Sequence, residues 1–130
     1  MPQQRSTTVR LRTSLFEEAA AIVSDEYDRE LALDEIARRV ASSRRQLQRA
    51  YAEIGHTTFR THLTAVRMDA AAQLLGRGPL TVREVAHRVG YRQPAQFAKA
   101  FRRHHGVSPS SYRARRRLAV DTSLPIRVAA

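Results

Sequence analysis

One short stretch occurs twice in this chain, and the repetition limits the possible folds more than any other feature. The copies run from Leu33 to Tyr51 and from Val82 to Phe101. Glu35, Ile36, Ala37 and Val40 fall on Glu84, Val85, Ala86 and Val89. After one extra residue in the second copy, Leu47, Arg49 and Tyr51 fall on Phe97, Lys99 and Phe101. In each copy apolar residues recur at helical spacing, stop at a polar break, and resume on a second run with a basic outer face. That is the pattern of a helix-turn-helix, and two copies point to two units that each present a helix to DNA.

The flanking signals extend the helical reading. Ser14 with Glu17, Ser43 with Gln46, and Thr81 with Glu84 have capping-box spacing, in which the first side chain accepts from the backbone of the residue three further on. A first helix is expected from about Ser14, with Leu15, Ala19, Ile22 and Val23 along one stripe. Gly55 is expected to stop the third helix. A long run from Thr58 to Leu75 carries Phe59, Leu63, Val66, Ala70 and Leu74 on one side, widened by Met68, Ala71 and Leu75, and ends at Gly76-Arg-Gly-Pro79. Gly90 suits the second turn, and Pro94 suits the first position of a helix, where its missing N–H is not needed. Gly106 closes that helix, and Ser108-Pro109 opens a short last one with Tyr112 turned inward. The expected fold is all-α, with seven helices forming two helix-turn-helix subdomains joined by a long linker helix. The expected boundaries are a flexible basic arm over residues 1–12, a domain over 13–117 and a tail over 118–130. The helix-turn-helix units cover about 33–54 and 82–105, and the linker about 58–75.

Charge decides the kind of partner. The chain has 23 Lys and Arg against 12 Asp and Glu, a net charge of +11, which is expected of a protein that meets a polyanion. Arg pairs bidentately with guanine and Gln with adenine. Arg44, Arg45, Gln48 and Arg49 lie near the start of the third helix, the end that enters the groove in this motif. The sixth helix offers Gln96 and Lys99, with small Ala95 and Ala98 leaving room or touching a thymine methyl, while Arg102 and Arg103 suit phosphates. Contacts to the DNA backbone are assigned to Ser43, Arg60, Gln93, Arg102, Arg103 and Arg113. A linker of about 18 residues is near 27 Å long, compatible with successive major grooves about 34 Å apart.

Other chemistry is disfavoured. With no Cys, disulfides, thiolate zinc sites and cysteine nucleophiles are excluded. His56, His62, His87, His104 and His105 have no ligand spacing in sequence, so no metal site and no cofactor are expected. Asp34 and Glu35 suit the positive start of a helix better than an acid–base pair. No apolar run reaches the roughly 20 residues of a membrane span, and the N-terminal residues lack a signal-type apolar segment. A cytoplasmic, nucleoid-associated protein is expected. The acidic run Asp25 to Glu30 reads as a solvated loop, with contact to a partner protein as the alternative.

Residues from about Ser14 to Arg117 resemble the DNA-binding domain of the AraC/XylS transcription regulators. The resemblance is carried by Gly90-Tyr91, Phe97, Phe101, Gly106-Val-Ser-Pro109 and Tyr112-Arg113. In the first half it is carried by Leu47-Gln48-Arg49, Gly55, Phe59, Arg67-Met68, Ala71, Leu74 and Leu75. It implies a two-lobed fold whose third and sixth helices enter successive major grooves, and a function, most often activation, exerted through RNA polymerase. By position it implies base reading by Arg44, Arg45, Gln48 and Arg49, and by Pro94, Ala95, Gln96 and Lys99. Gln93 departs from the usual Ser or Asp cap, and Pro94-Ala95 replace commoner polar residues, which points to the sixth helix as an anchor more than a reader. Some relatives fuse this domain to cysteine-dependent alkyl transferases; without Cys that activity is excluded, and no enzyme is expected. The resemblance is to short members without a sensor domain, which act as monomers. The alternatives are a DNA-binding fragment of a larger regulator, or a low-specificity, nucleoid-like or antagonist protein.

Overall fold

The computed structural model describes the backbone of residues 2–129 and the side chains of residues 6–119. Among the described residues there are seven α-helices and no strand: α1 (Pro2–Glu26), α2 (Leu33–Arg39), α3 (Arg44–Ala50), α4 (Phe59–Arg77), α5 (Val82–Arg88), α6 (Pro94–His105) and α7 (Pro109–Ala129). A π-helical turn, Tyr51–Gly55, continues α3. The chain divides into two units, Met1–Val66 and Arg67–Ala130, with α4 running through the boundary.

In the first unit Ala19, Val23, Ile36, Ala37, Leu47 and Tyr51 form the buried core, with Phe16, Leu33, Phe59 and Leu63 packed around it. Tyr51 is its pivot. Its ring meets Phe16 edge-on at 5.1 Å and Phe59 at 6.0 Å, and its hydroxyl lies 2.9 Å from His62 Nδ1. A hydroxyl buried this way needs a partner, and His62 supplies it. Gly55 is present because of Phe16: a Cβ there would sit 2.4 Å from the Phe16 ring. The chain reverses at His56, the residue in the left-handed region (φ 52°), and not at Gly55. The π turn ends at Gly55, the expected stop, but the left-handed residue is the following His56, and Gly55 itself provides clearance.

The second unit buries Met68, Ala71, Ala72 and Leu75 of α4, Val85, Ala86 and Val89 at α5, and Phe97 and Phe101 of α6. The α4 residues follow i, i+3, i+4, i+7 spacing. Ala70 and Leu74, expected inward, are only half-buried, so the burial register shifts within α4 from the Phe59–Leu63–Val66 stripe. Phe101 also meets Tyr112 of α7 edge-on at 5.5 Å.

Both terminal helices are longer than the sequence pattern indicates. α1 begins at Pro2, so Ser14 lies inside the helix and forms no N-terminal cap. Capping chemistry matters only where backbone N–H groups lack an intrahelical partner. Proline is tolerated in a first turn, and no further Pro or Gly interrupts the run to Glu26. α7 likewise continues to Ala129 instead of stopping near Arg117.

Candidate nucleic-acid interface

Each unit builds its presented helix with the same backbone device. After α2, Ser42 N–H donates to Ala37 O (2.8 Å) and Ala41 N–H to Arg38 O (3.1 Å). After α5, Tyr91 N–H donates to Ala86 O (2.9 Å) and Gly90 N–H to His87 O (3.1 Å). This is the Schellman pattern, which satisfies the last carbonyls of one helix while turning the chain toward the next. The left-handed residue is Ala41 (φ 55°) in one turn and Gly90 (φ 97°) in the other.

The α3 start is fixed by a capping box. Ser43 Oγ accepts from Gln46 N–H (3.1 Å), and Gln46 Oε1 accepts from Ser43 N–H (3.5 Å). With Leu47 and Ala50 locked in the core, helical spacing sends Arg44, Arg45, Gln48 and Arg49 outward, and all four are exposed. Arg44 lies 3.6 Å from Asp34, while among the described residues Arg45 and Arg49 have no carboxylate partner. The face is held in shape by the core and keeps its positive charge for a ligand. Beside it an open groove of about 500 Å³ is lined by Leu11, Leu15, Val40, Arg45 and Arg49 among others.

The α6 start is weaker. Gln93 caps it without a side-chain hydrogen bond, and Pro94 occupies the first turn. Phe97 and Phe101 face inward, leaving Ala95, Gln96, Lys99, Arg102 and Arg103 exposed and Ala98 half-buried. Ahead of it, α5 has a full capping box: Glu84 N–H donates to Thr81 Oγ1 (3.1 Å) and Thr81 N–H to Glu84 Oε1 (3.0 Å). These bonds from Thr81 hold the Glu84 carboxyl below its ordinary range.

Of the backbone-contact residues, Arg60 and Gln93 are exposed and Ser43 is the α3 cap. Arg113 is different. It is half-buried, with Nε donating to Leu75 O at 3.2 Å and Nη2 to Leu80 O. Its guanidinium satisfies carbonyls at the end of α4 and in the following loop, an internal role that its place in the sequence did not indicate. The acidic run is also partly structural. Arg39 holds Glu26 in a two-pronged ion pair (2.8 and 2.5 Å) that keeps the Glu26 carboxyl below its ordinary range. Sequence spacing missed one cluster altogether: His104 and His105 of α6 converge on Asp69 of α4. Residues 35 positions apart become neighbours only once α4 and α6 pack.

Two helix-turn-helix units, each presenting a cationic helix, define a class that the comparisons narrow. The helix-turn-helix domain family matches residues 36–115. An uncharacterized HTH-type transcriptional regulator of Mycobacterium tuberculosis is 33% identical over 110 residues, 85% of this chain and 29% of that protein. The lactose operon transcription activator of Staphylococcus xylosus is 26% identical over 112 residues, 86% of this chain and 40% of that protein. The DNA-binding domain of AdpA, solved in complex with a target DNA, superposes with a TM-score of 0.76 at 30% identity, covering 80% of this chain and 94% of that one. The chain belongs to the AraC-type helix-turn-helix family. It spans 29% and 40% of the length of the two curated relatives described.

Proposed function

We propose that the chain is a sequence-specific DNA-binding transcription regulator in which α3 reads bases and α6 mainly anchors. The observation that carries the reading is the exposed Arg44, Arg45, Gln48 and Arg49 face on a helix whose start is fixed by a capping box and whose other side is locked in a core. Arg and Gln held at such a helix start match the donor and acceptor patterns of guanine and adenine in the major groove. On α6, Ala95 and Gln96 face the bases, Lys99 on the same face acts mainly through its charge on the phosphates, and Arg102 and Arg103 take phosphates. Ser43, Arg60 and Gln93 contact the backbone. Phosphate contacts supply much of the affinity and make it salt-dependent without choosing sequence.

The chain acts as a monomer on double-stranded DNA in the cytoplasm and activates through RNA polymerase. Activation is supported by the description of the Staphylococcus xylosus relative as an activator, and no helix among the described residues is long and apolar enough to cross a membrane. Selecting bound sequences from a random DNA pool tests the reading. The expected product is a site with two separated conserved patches, preferred over random DNA by about 10³-fold or more. Equal affinity for random DNA would establish a low-specificity binder instead, and a palindromic site would establish a dimer.

A further inference from the structure

We propose that Asp69, His104 and His105 form a divalent transition-metal site, and that Zn²⁺ is the ion it takes. His104 and His105 are the last two residues of α6, and Asp69 lies on α4. One ligand atom from each residue lies within 4.8 Å of the other two. Asp69 Oδ1 is 3.2 Å from His104 Nε2 and 3.9 Å from His105 Nε2. Donors bound to one tetrahedral Zn²⁺ at about 2.0–2.1 Å are separated by about 3.3 Å, so the cluster needs only small side-chain rotations to close on an ion. Two imidazoles with one carboxylate suit Zn²⁺ and its neighbours over Mg²⁺ or Ca²⁺, which prefer all-oxygen shells. Three protein ligands leave a further position for water.

The surroundings favour an ordered site. His105 is wedged against Phe101 at 4.5 Å and Tyr112 at 5.7 Å, which restricts its ring, and its side chain is 20% exposed. His104 (33%) and Asp69 (67%) remain open to solvent, giving an ion a path in. Without metal, His105 Nε2 lies 3.0 Å from Met68 O and donates its proton there. On binding, the neutral ring carries that proton on Nδ1, and Nε2 turns its lone pair to the ion. The ion would tie the last turn of α6 to α4 with bonds that the protein alone does not have.

The test is calorimetric titration of Zn²⁺ into the metal-free full chain, with Co²⁺ absorption to report coordination. One Zn²⁺ per chain is expected, with micromolar or tighter affinity. Co²⁺ should give the intense visible bands of a low-coordinate site. D69N and H104Q, both at solvent-open positions, should each weaken binding by at least about 10–100-fold, whereas H87Q should bind as the wild type does. At about 100-fold excess over Kd, Zn²⁺ should raise Tm by roughly 10 °C in the wild type and far less in the two variants. Three results would each overturn the site: no Zn²⁺ uptake by the wild type, affinity within about threefold of wild type in D69N and H104Q, or equal loss in H87Q.

Discussion

The two helix-turn-helix units turn their chains with the same pair of backbone hydrogen bonds, yet from the turn itself to the start of the presented helix they use different residues. One places Ala41 where the other has Gly90; one starts its presented helix with the Ser43 box, the other with Gln93 and Pro94. One pivots on Tyr51, the other on Phe101. What they keep is the buried set: Ile36, Ala37 and Leu47 against Val85, Ala86 and Phe97. The turn is therefore specified by apolar burial and backbone pairing, and the residues from Ala41 and Gly90 onward are free to diverge. The divergence is chemical on the outward faces, with three arginines on α3 and one lysine, two arginines and several alanines on α6.

The largest expected effect tests whether Gly90 is as replaceable as its counterpart. Ala41 sits at φ 55°, inside the left-handed well, but Gly90 is at 97°, beyond it. A Cβ on Gly90 would also lie 3.1 Å from the Arg67 guanidinium, which stacks over the Tyr91 ring at 5.7 Å. Gly90→Ala should cost about 2–3 kcal/mol in urea unfolding. A cost below about 0.5 kcal/mol would mean that the second turn relaxes easily into the geometry of the first.

Next in size is the contrast between reader and anchor. Arg49→Ala should weaken binding to a selected site about 10–100-fold while barely changing affinity for random DNA. Lys99→Ala should lower both affinities in parallel and reduce the salt slope by about 1. Measuring both variants on both DNAs at several salt concentrations decides the matter. If Lys99→Ala is the sequence-selective loss, the assignment of roles to α3 and α6 is reversed.

How much of this was legible in sequence depends on the range of the interaction. The boxes at Ser43 and Thr81, the Gly90 turn and Pro94 are local signals read within four residues, and the structure places them as their chemistry requires. The same spacing at Ser14 misled, because a capping box does nothing inside a continuous helix. The outward arginines of α3 followed from helical spacing once Leu47 was assigned inward. Features that depend on tertiary packing were out of reach. These include the clearance of Gly55 for Phe16, the use of Arg113 on the Leu75 and Leu80 carbonyls, and the meeting of His104 and His105 with Asp69.

A smaller effect probes the pivots. Tyr51→Phe gives the first unit the side chain of the second and removes the partner of His62 Nδ1, at a cost of about 1 kcal/mol. The pair also sets a pH dependence. Burial lowers the His62 pKa from its ordinary 6.5, so below that value the unfolded chain binds the extra proton first. Stability should be fully present above about pH 6.5 and fall as pH drops toward the lowered pKa of the folded state. Burial raises the Tyr51 pKa from 10.0 to about 12. The folded state therefore holds its proton longer, and that contribution, intact below pH 10, is lost as pH rises toward 12. Thermal melts across pH should show a shallower acid slope in His62→Gln and the loss of the Tyr51 part of the alkaline slope in Tyr51→Phe.

The smallest expected effect runs opposite to the first. Ala41 holds a left-handed conformation that costs an L-residue roughly 1–2 kcal/mol, while glycine would lose roughly 0.5–1 kcal/mol in chain entropy on folding. Ala41 is exposed, so little packing is lost with its methyl group. Ala41→Gly should therefore stabilise the protein by about 0.5–1 kcal/mol, read as a rise in Tm of a few degrees, with affinity for a selected site unchanged. The gain would show that the first unit carries turn strain that the second avoids by using glycine. If Ala41→Gly instead destabilises, the first turn is not strained. The glycine at position 90 would then rest on its wider φ of 97° and on clearance for Arg67, and Arg67→Ala should relieve only the second part of the Gly90→Ala cost.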